Sequence, residues 1–286
     1  MDILATAVVN ALVQSSMYIL VALGFALMLS IMGIFNFAHG AIYMVGAFVT
    51  WTFAVQFGIP QWAALVLAVG VMCGFGLFLE RFCFRPFKGQ TQRIVIMCIA
   101  LIQVLTTSVN VALGGYTRAL PPFIPGVIKT EVFSFSYERL ITIIIGGGLL
   151  IGVYFFIRDS KIGKQMLAIA QNKEGSALQG ISVNRTSAVA TVIACALAAT
   201  AGSLMGALLS LSPYMGDLPL TKAIQVVILS GIGSVGGILW SGLIIGSIDG
   251  VLPIFTTSAV ADAIGLVIVI LILLFRPKGL FGYELF

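Results

Sequence analysis

The chain has 286 residues, of which 60% are hydrophobic and only 9% charged, and its mean hydropathy is +1.13. Soluble domains carry roughly a quarter charged residues, so this composition excludes a soluble globular protein and predicts an all-α polytopic membrane protein. The net charge of +5 would suit nucleic acid, but the basic residues cluster between apolar runs, where they report topology instead; the surroundings are membrane lipid and no nucleic-acid partner is expected.

Residues 3–79 contain no Asp, Glu, Lys or Arg. A first span is expected over about 5–32, long enough to cross a ~30 Å hydrocarbon layer. It lacks a basic n-region and is too long for a cleaved signal peptide, so it reads as a retained span. IFNFAHGAIYMVGAF follows, in which Asn36, His39 and Gly40 interrupt the hydrophobicity without a fixed charge. A second segment runs to about Phe57, and a turn at 58–61 leads to a third ending near Leu79. The loop ERFCFRPFKGQTQR carries Arg81, Arg85, Lys88 and Arg93 and is expected in the cytoplasm, where Lys and Arg are retained. A fourth span covers about 94–113. The Pro- and Gly-rich segment 114–139 reads as an ordered external loop, and a fifth span covers 140–157.

Residues 158–185, RDSKIGKQMLAIAQNKEGSALQGISVNR, form the longest polar interruption, with Arg158, Lys161, Lys164, Lys173 and Arg185 against Asp159 and Glu174. The segment is predicted to be a cytoplasmic loop, 158–187 at its widest. Met166, Leu167, Ile169 and Ala170, then Ala177, Leu178 and Ile181, recur at the spacing of short amphipathic helices, which makes the loop a docking surface. A sixth span covers 187–209. With LSPYMGDLP outside and the basic tail from 275 inside, an odd number of crossings is required between 220 and 275. Segments 223–232, 238–255 and 259–275 are available. The first is too short to span at ~1.5 Å per residue and ends in GIGSVGG, so it reads as a half-helix whose Gly-rich backbone lines a protein cavity. The sum is about eight transmembrane segments with glycine-broken helices, in one domain over 1–286. Gly70/Gly74, Gly148/Gly152, Gly202/Gly206 and Gly242/Gly246/Gly250 stand four apart, a spacing that lets helices approach closely in lipid.

The sequence offers little for catalysis. His39 is the one histidine and has no second ligand at metal spacing. Cys73, Cys83, Cys98 and Cys195 form no C-x-x-C pair and read as packing residues. Ser234 lacks the first glycine of a nucleophile turn, and no phosphate-binding loop is present. No catalytic residue, metal or cofactor is expected, and the chain is not expected to hydrolyse ATP. Asp249 and Asp262 read as positions near the external interface or as an ion relay; Asn36 and His39 read as partners for backbone freed at a helix break or as lining of a substrate path.

NFAHGAIYMVGAF (36–48), RFCFRPFKG (81–89), the loop 160–185, PYMGDLP (213–219), GIGSVGG (231–237) and FRPKGLFG (275–282) occur in that order. Together, across essentially the whole chain, they resemble the permease subunits of bacterial branched-chain amino acid ABC importers. Glu174 and Gly180 keep the frame of the E-A-A-x-x-x-G motif with which such permeases meet their ATPases, although Gly175 and Ser176 replace its alanines. The resemblance implies an ATPase-coupling element made of Lys173, Glu174, Gly175, Ala177, Leu178, Gly180 and Ile181. It also implies a second homologous permease subunit in a heterodimer, two ATP-binding cassette subunits, a periplasmic substrate-binding protein and a place in the inner membrane. Asn36, His39, Tyr43, Gly231, Gly233 and Ser234 are the candidates for the translocation path. Alternatives are a permease for urea, short amides, aromatic acids or other amino acids, or an ion-coupled secondary transporter built on Asp249 and Asp262.

Overall fold

The computed structural model describes residues 2–129, 134–231 and 233–281; part of the external loop (130–133), Ile232 at the end of the expected half-helix, and the tail beyond 281 lie outside them. In chain order the helices are α1 (Asp2–Met32), α2 (His39–Trp51), α3 (Gln61–Phe78), α4 (Thr91–Leu113), α5 (Tyr137–Asp159), α6 (Lys161–Gln171), α7 (Lys173–Leu178), α8 (Val183–Leu208), α9 (Asp217–Ser230), α10 (Val235–Val251) and α11 (Ser258–Phe275). The external loop adds a small antiparallel ribbon of β1 (Val127–Lys129) and β2 (Ser134–Ser136), with Ile128 opposite Phe135.

Seven of the described helices are long and apolar enough to cross a membrane: α1, α3, α4, α5, α8, α10 and α11. α2 is not among them; it has 13 residues and continues as a π-helix over Thr52–Gln56. α9 is the half-helix. It begins at Asp217, six residues before the expected start at 223, and stops at Ser230. Pro219 is no obstacle, because it falls in the first turn, where helix amides have no intrahelical acceptor.

α1 and α8 form the centre. Nearly nine-tenths of the apolar stretch of α1 is buried, against about a tenth in α4. A helix apolar on every side, as α1 is, belongs inside a bundle, while α4, α5 and α11 present their outer faces to lipid. The close approach of α10 to α1 rests on the expected glycine stripe. A Cβ at Gly242 would collide with Ile19, one at Gly246 with the Ser15 backbone, and one at Gly250 with the Ala11 backbone. Gly202 sits likewise against the Tyr43 carbonyl, and Thr50 and Ser203 share a 2.7 Å hydrogen bond between α2 and α8. Gly70, Gly74, Gly148 and Gly152 meet nothing within 4 Å among the described residues, so the contacts expected of these two pairs are not made there.

The basic loops fix the direction. The end of α1 packs through Leu27 and Ile31 against Met166 and Ile169 of α6, so Met32 lies at the cytoplasmic end and the start of α1 at the external end. α2 begins inside the bundle, its first residue against Gly24 in the second half of α1. α9 begins there too, since Gly40 and Gly216 touch backbone to backbone with no room for a Cβ on either.

Candidate functional site

The loop after α5 is built from capping residues. The Ser160 hydroxyl accepts from the Gly163 amide (2.9 Å) and starts α6, the Asn172 side chain accepts from the Gly175 amide (2.8 Å) and starts α7, and Ser182 starts α8. Each takes one of the four amides that a helix start leaves without an acceptor. α7 ends in a Schellman turn: the Ile181 amide donates to the Ser176 carbonyl, the Gly180 amide donates to the Ala177 carbonyl, and Gly180 takes the left-handed conformation at φ +80° that glycine adopts freely. α6 lies on the bundle through Gly163, Met166 and Ile169, while α7 projects. Of the expected coupling residues, Lys173, Glu174, Ala177, Leu178 and Gly180 are exposed, and Gly175 and Ile181 are half-buried. Ile181 packs toward the α1–α6 cluster, and Leu178 stands out at 89% exposure. No other large apolar side chain among the described residues is as exposed.

The other basic loop stands next to it. Glu80 is buried and pairs with Arg85 (2.7 Å) and Lys88 (3.6 Å), and Lys88 also donates to Asn184 at the start of α8 (2.7 Å). Burial holds the Lys88 ammonium below the ordinary lysine value; Glu80 opposes this, and Arg85 and Lys173 add to it. Both basic loops therefore make one cytoplasmic platform.

The expected path residues fall into two groups. Asn36 and His39 are fully enclosed. The Asn36 side-chain oxygen accepts from the Ala38 amide (3.1 Å) and its nitrogen donates to the Met28 sulfur (3.3 Å), so it serves backbone freed at the break. Neither ring nitrogen of His39 makes a well-formed hydrogen bond among the described residues, and Phe25 meets its ring edge-on. Tyr43 lines an external chamber. Gly233 and Ser234 instead border a cytoplasmic cavity with Arg158, Leu167, Trp240 and Phe281, and Ser234 caps α10 by accepting from the Gly237 amide. Gly231 is sealed: Gly279 abuts it, and the Leu280 and Phe281 amides donate to the Leu229 and Ser230 carbonyls at 2.8 and 3.1 Å. The six are therefore not brought together at one place.

A group that sequence reasoning passed over lies at the external chamber. Lys222, in the second turn of α9, is 2% exposed and holds Asp249 of α10 at 2.7 Å and Asp262 of α11 at 2.8 Å. The Tyr18 hydroxyl donates to Asp249 at 2.9 Å. The cluster ties three helices to α1 across the half-helix. The two aspartates had been noticed; the signal for the lysine was charge balance, because two carboxylates inside an apolar bundle demand a cation.

The model of the family described as "Branched-chain amino acid transport system / permease component" matches residues 7–275. The chain is 31% identical to the high-affinity branched-chain amino acid transport system permease protein BraD of Pseudomonas aeruginosa, over 96% of this chain and 94% of that protein. It is 31% identical to the corresponding permease LivH of Escherichia coli (strain K12), over the same shares of the two chains. The ribose import permease protein RbsC of Haemophilus influenzae is a more distant relative, at 25% identity over 93% of this chain and 83% of that one. With its crossings, its broken helices and its projecting cytoplasmic loop, the chain belongs to the permease component family of the branched-chain amino acid transport systems.

Proposed function

We propose that the chain is the membrane-spanning permease subunit of an ABC importer that carries branched-chain amino acids through the bacterial inner membrane. The observation that carries this reading is the match over residues 7–275 joined to a capped, projecting α7. The chain supplies the path and the docking corner. ATP hydrolysis resides on two cassette subunits, a periplasmic binding protein delivers the amino acid, and a second, homologous permease completes the path. Closure of the ATPase pair would press on α7 and, through the buried face of α6, on the ends of α1 and α5. Each ligand moves the equilibrium by its differential affinity for the two states. The relatives named for branched-chain amino acids match at 31% identity, the ribose permease at 25%, which supports the amino-acid substrate. An ion-coupled carrier is less well supported, because Lys222 already engages both Asp249 and Asp262.

The test is co-purification in detergent of the wild type, the Glu174→Arg/Gly180→Trp variant and Leu178→Asp. Leu178 is almost fully exposed, so its replacement probes docking and leaves the bundle intact. An ATPase that accompanies the wild type and is lost from both variants is the expected result. No ATPase with the wild type would overturn the importer reading.

A further inference from the structure

At the external end, two adjoining cavities of about 350 and 310 Å³ share Gln14, Met205, Leu209, Asp249, Pro253 and Ser258. They form one chamber of the size of ordinary ligand pockets, ~300–1,000 Å³. Its polar lining carries both signs of charge. Arg139, at the start of α5, lines one lobe; it donates to the neutral Asn10 amide oxygen (2.6 Å), and no carboxylate pairs with it among the described residues. Asp249 borders both lobes, and Asp262 lines the other. One lysine between two carboxylates leaves that cluster with one negative charge, and Asp262 remains 44% exposed. The Gln14 side-chain oxygen, buried and without a hydrogen-bond partner, borders both lobes. Val13, Met205, Leu208, Leu209, Met215 and Leu218 supply apolar wall.

We infer that this chamber receives a zwitterionic amino acid with an aliphatic side chain, its carboxylate turned toward Arg139 and its ammonium toward Asp262. The inference rests on the importer reading and adds to it a receiving site in the permease itself. A cation and a net anion on the walls of adjoining cavities orient a zwitterion, and a free carboxylate or a free amine leaves one of the two charges unanswered. The apolar wall takes the side chain, and Gln14 gains a partner when an ammonium or a water enters.

The experiment uses the complete importer in proteoliposomes, with its binding protein saturated by radiolabelled L-leucine. Arg139→Gln and Asp262→Asn are compared with the charge-keeping Arg139→Lys and Asp262→Glu, and the ATPase that co-purifies with each is measured. The maximal uptake rate is expected to fall about tenfold in the charge-removing variants, close to 1.4 kcal/mol. ATP hydrolysis and the half-saturating concentration of loaded binding protein stay unchanged, and the charge-keeping variants retain most of the rate. Wild-type uptake in Arg139→Gln and Asp262→Asn overturns the inference. Equal losses in the charge-keeping and charge-removing variants overturn it as well, because packing rather than charge would then matter. Absence of ATP-driven uptake by the wild type is the separate result that defeats the importer reading and takes this inference with it.

Discussion

Replacing Lys222 by Met deletes one charge and leaves its two carboxylates behind. Asp262 is 44% exposed and rehydrates, but Asp249 is only 7% exposed and stays inside the bundle without its cation. Removing one partner of a buried pair costs about 3–5 kcal/mol. The 2.9 Å hydrogen bond from Tyr18 survives the change and places the expected cost at the lower end, about 3 kcal/mol. At roughly 2–4 °C per kcal/mol for a chain of this size, the melting midpoint drops by about 6–12 °C. Adding Asp249→Asn removes the stranded charge while keeping the shape, so the double variant should recover most of the loss; Asp249→Asn alone leaves Lys222 with Asp262 and costs less than Lys222→Met. Cys98 and Cys195 are fully buried while Cys73 and Cys83 are half-buried, so in a Cys73→Ser/Cys83→Ser background a thiol-reactive fluorophore in detergent reports unfolding. If Lys222→Met melted with the wild type, or if Asp249→Asn failed to rescue it, the cluster would not be the clamp described above.

Two further perturbations test the packing. Gly246→Leu drives a side chain into the Ser15 backbone and is expected to cost more than the ~1–3 kcal/mol of ordinary overpacking, seen as loss of monodisperse protein in size-exclusion chromatography. Gly70→Ala, facing open space, should be neutral or stabilise α3 by up to ~1 kcal/mol; equal damage from both would refute the assignment of α10 to α1. Gly163→Ala puts a methyl group against the Phe156 and Ile157 carbonyls, prising α6 from α5. The expected outcome is reduced ATP-driven uptake with α7 still able to bind the ATPase, and normal uptake would count against α6 as the link from α7 to the bundle.

What could be read in the sequence depended on the range of the interaction concerned. The first span, the basic loops and the Gly242/Gly246/Gly250 stripe were legible, because hydropathy, charge side and helical period are local properties, and the structure places that stripe on α1. α7 was legible in the same way, from the spacing of Ala177, Leu178 and Ile181. The two glycine pairs in α3 and α5 carried the same spacing but meet nothing among the described residues, since spacing says what a helix permits and not what lies opposite. Lys222 was missed for the complementary reason. It follows PYMGDLPLT, which reads as an external loop, and its meaning lies in Asp249 and Asp262, which only the fold carries to it. The enclosure of Asn36 and His39 was likewise invisible, because two polar residues at a helix break look the same whether they face a path or satisfy their own backbone.

The seal at the end of α9 bears on how the molecule is made. The Leu229 and Ser230 carbonyls, which a helix end leaves without partners, are taken by the Leu280 and Phe281 amides. Those amides emerge from the ribosome only after α10 and α11 have been synthesised. Until then the half-helix has an unfinished end, and its last carbonyls are left without their protein partners. α9 is therefore finished only when the chain behind it folds back, so the last quarter of the protein, from Asp217 onward, settles as one cooperative assembly.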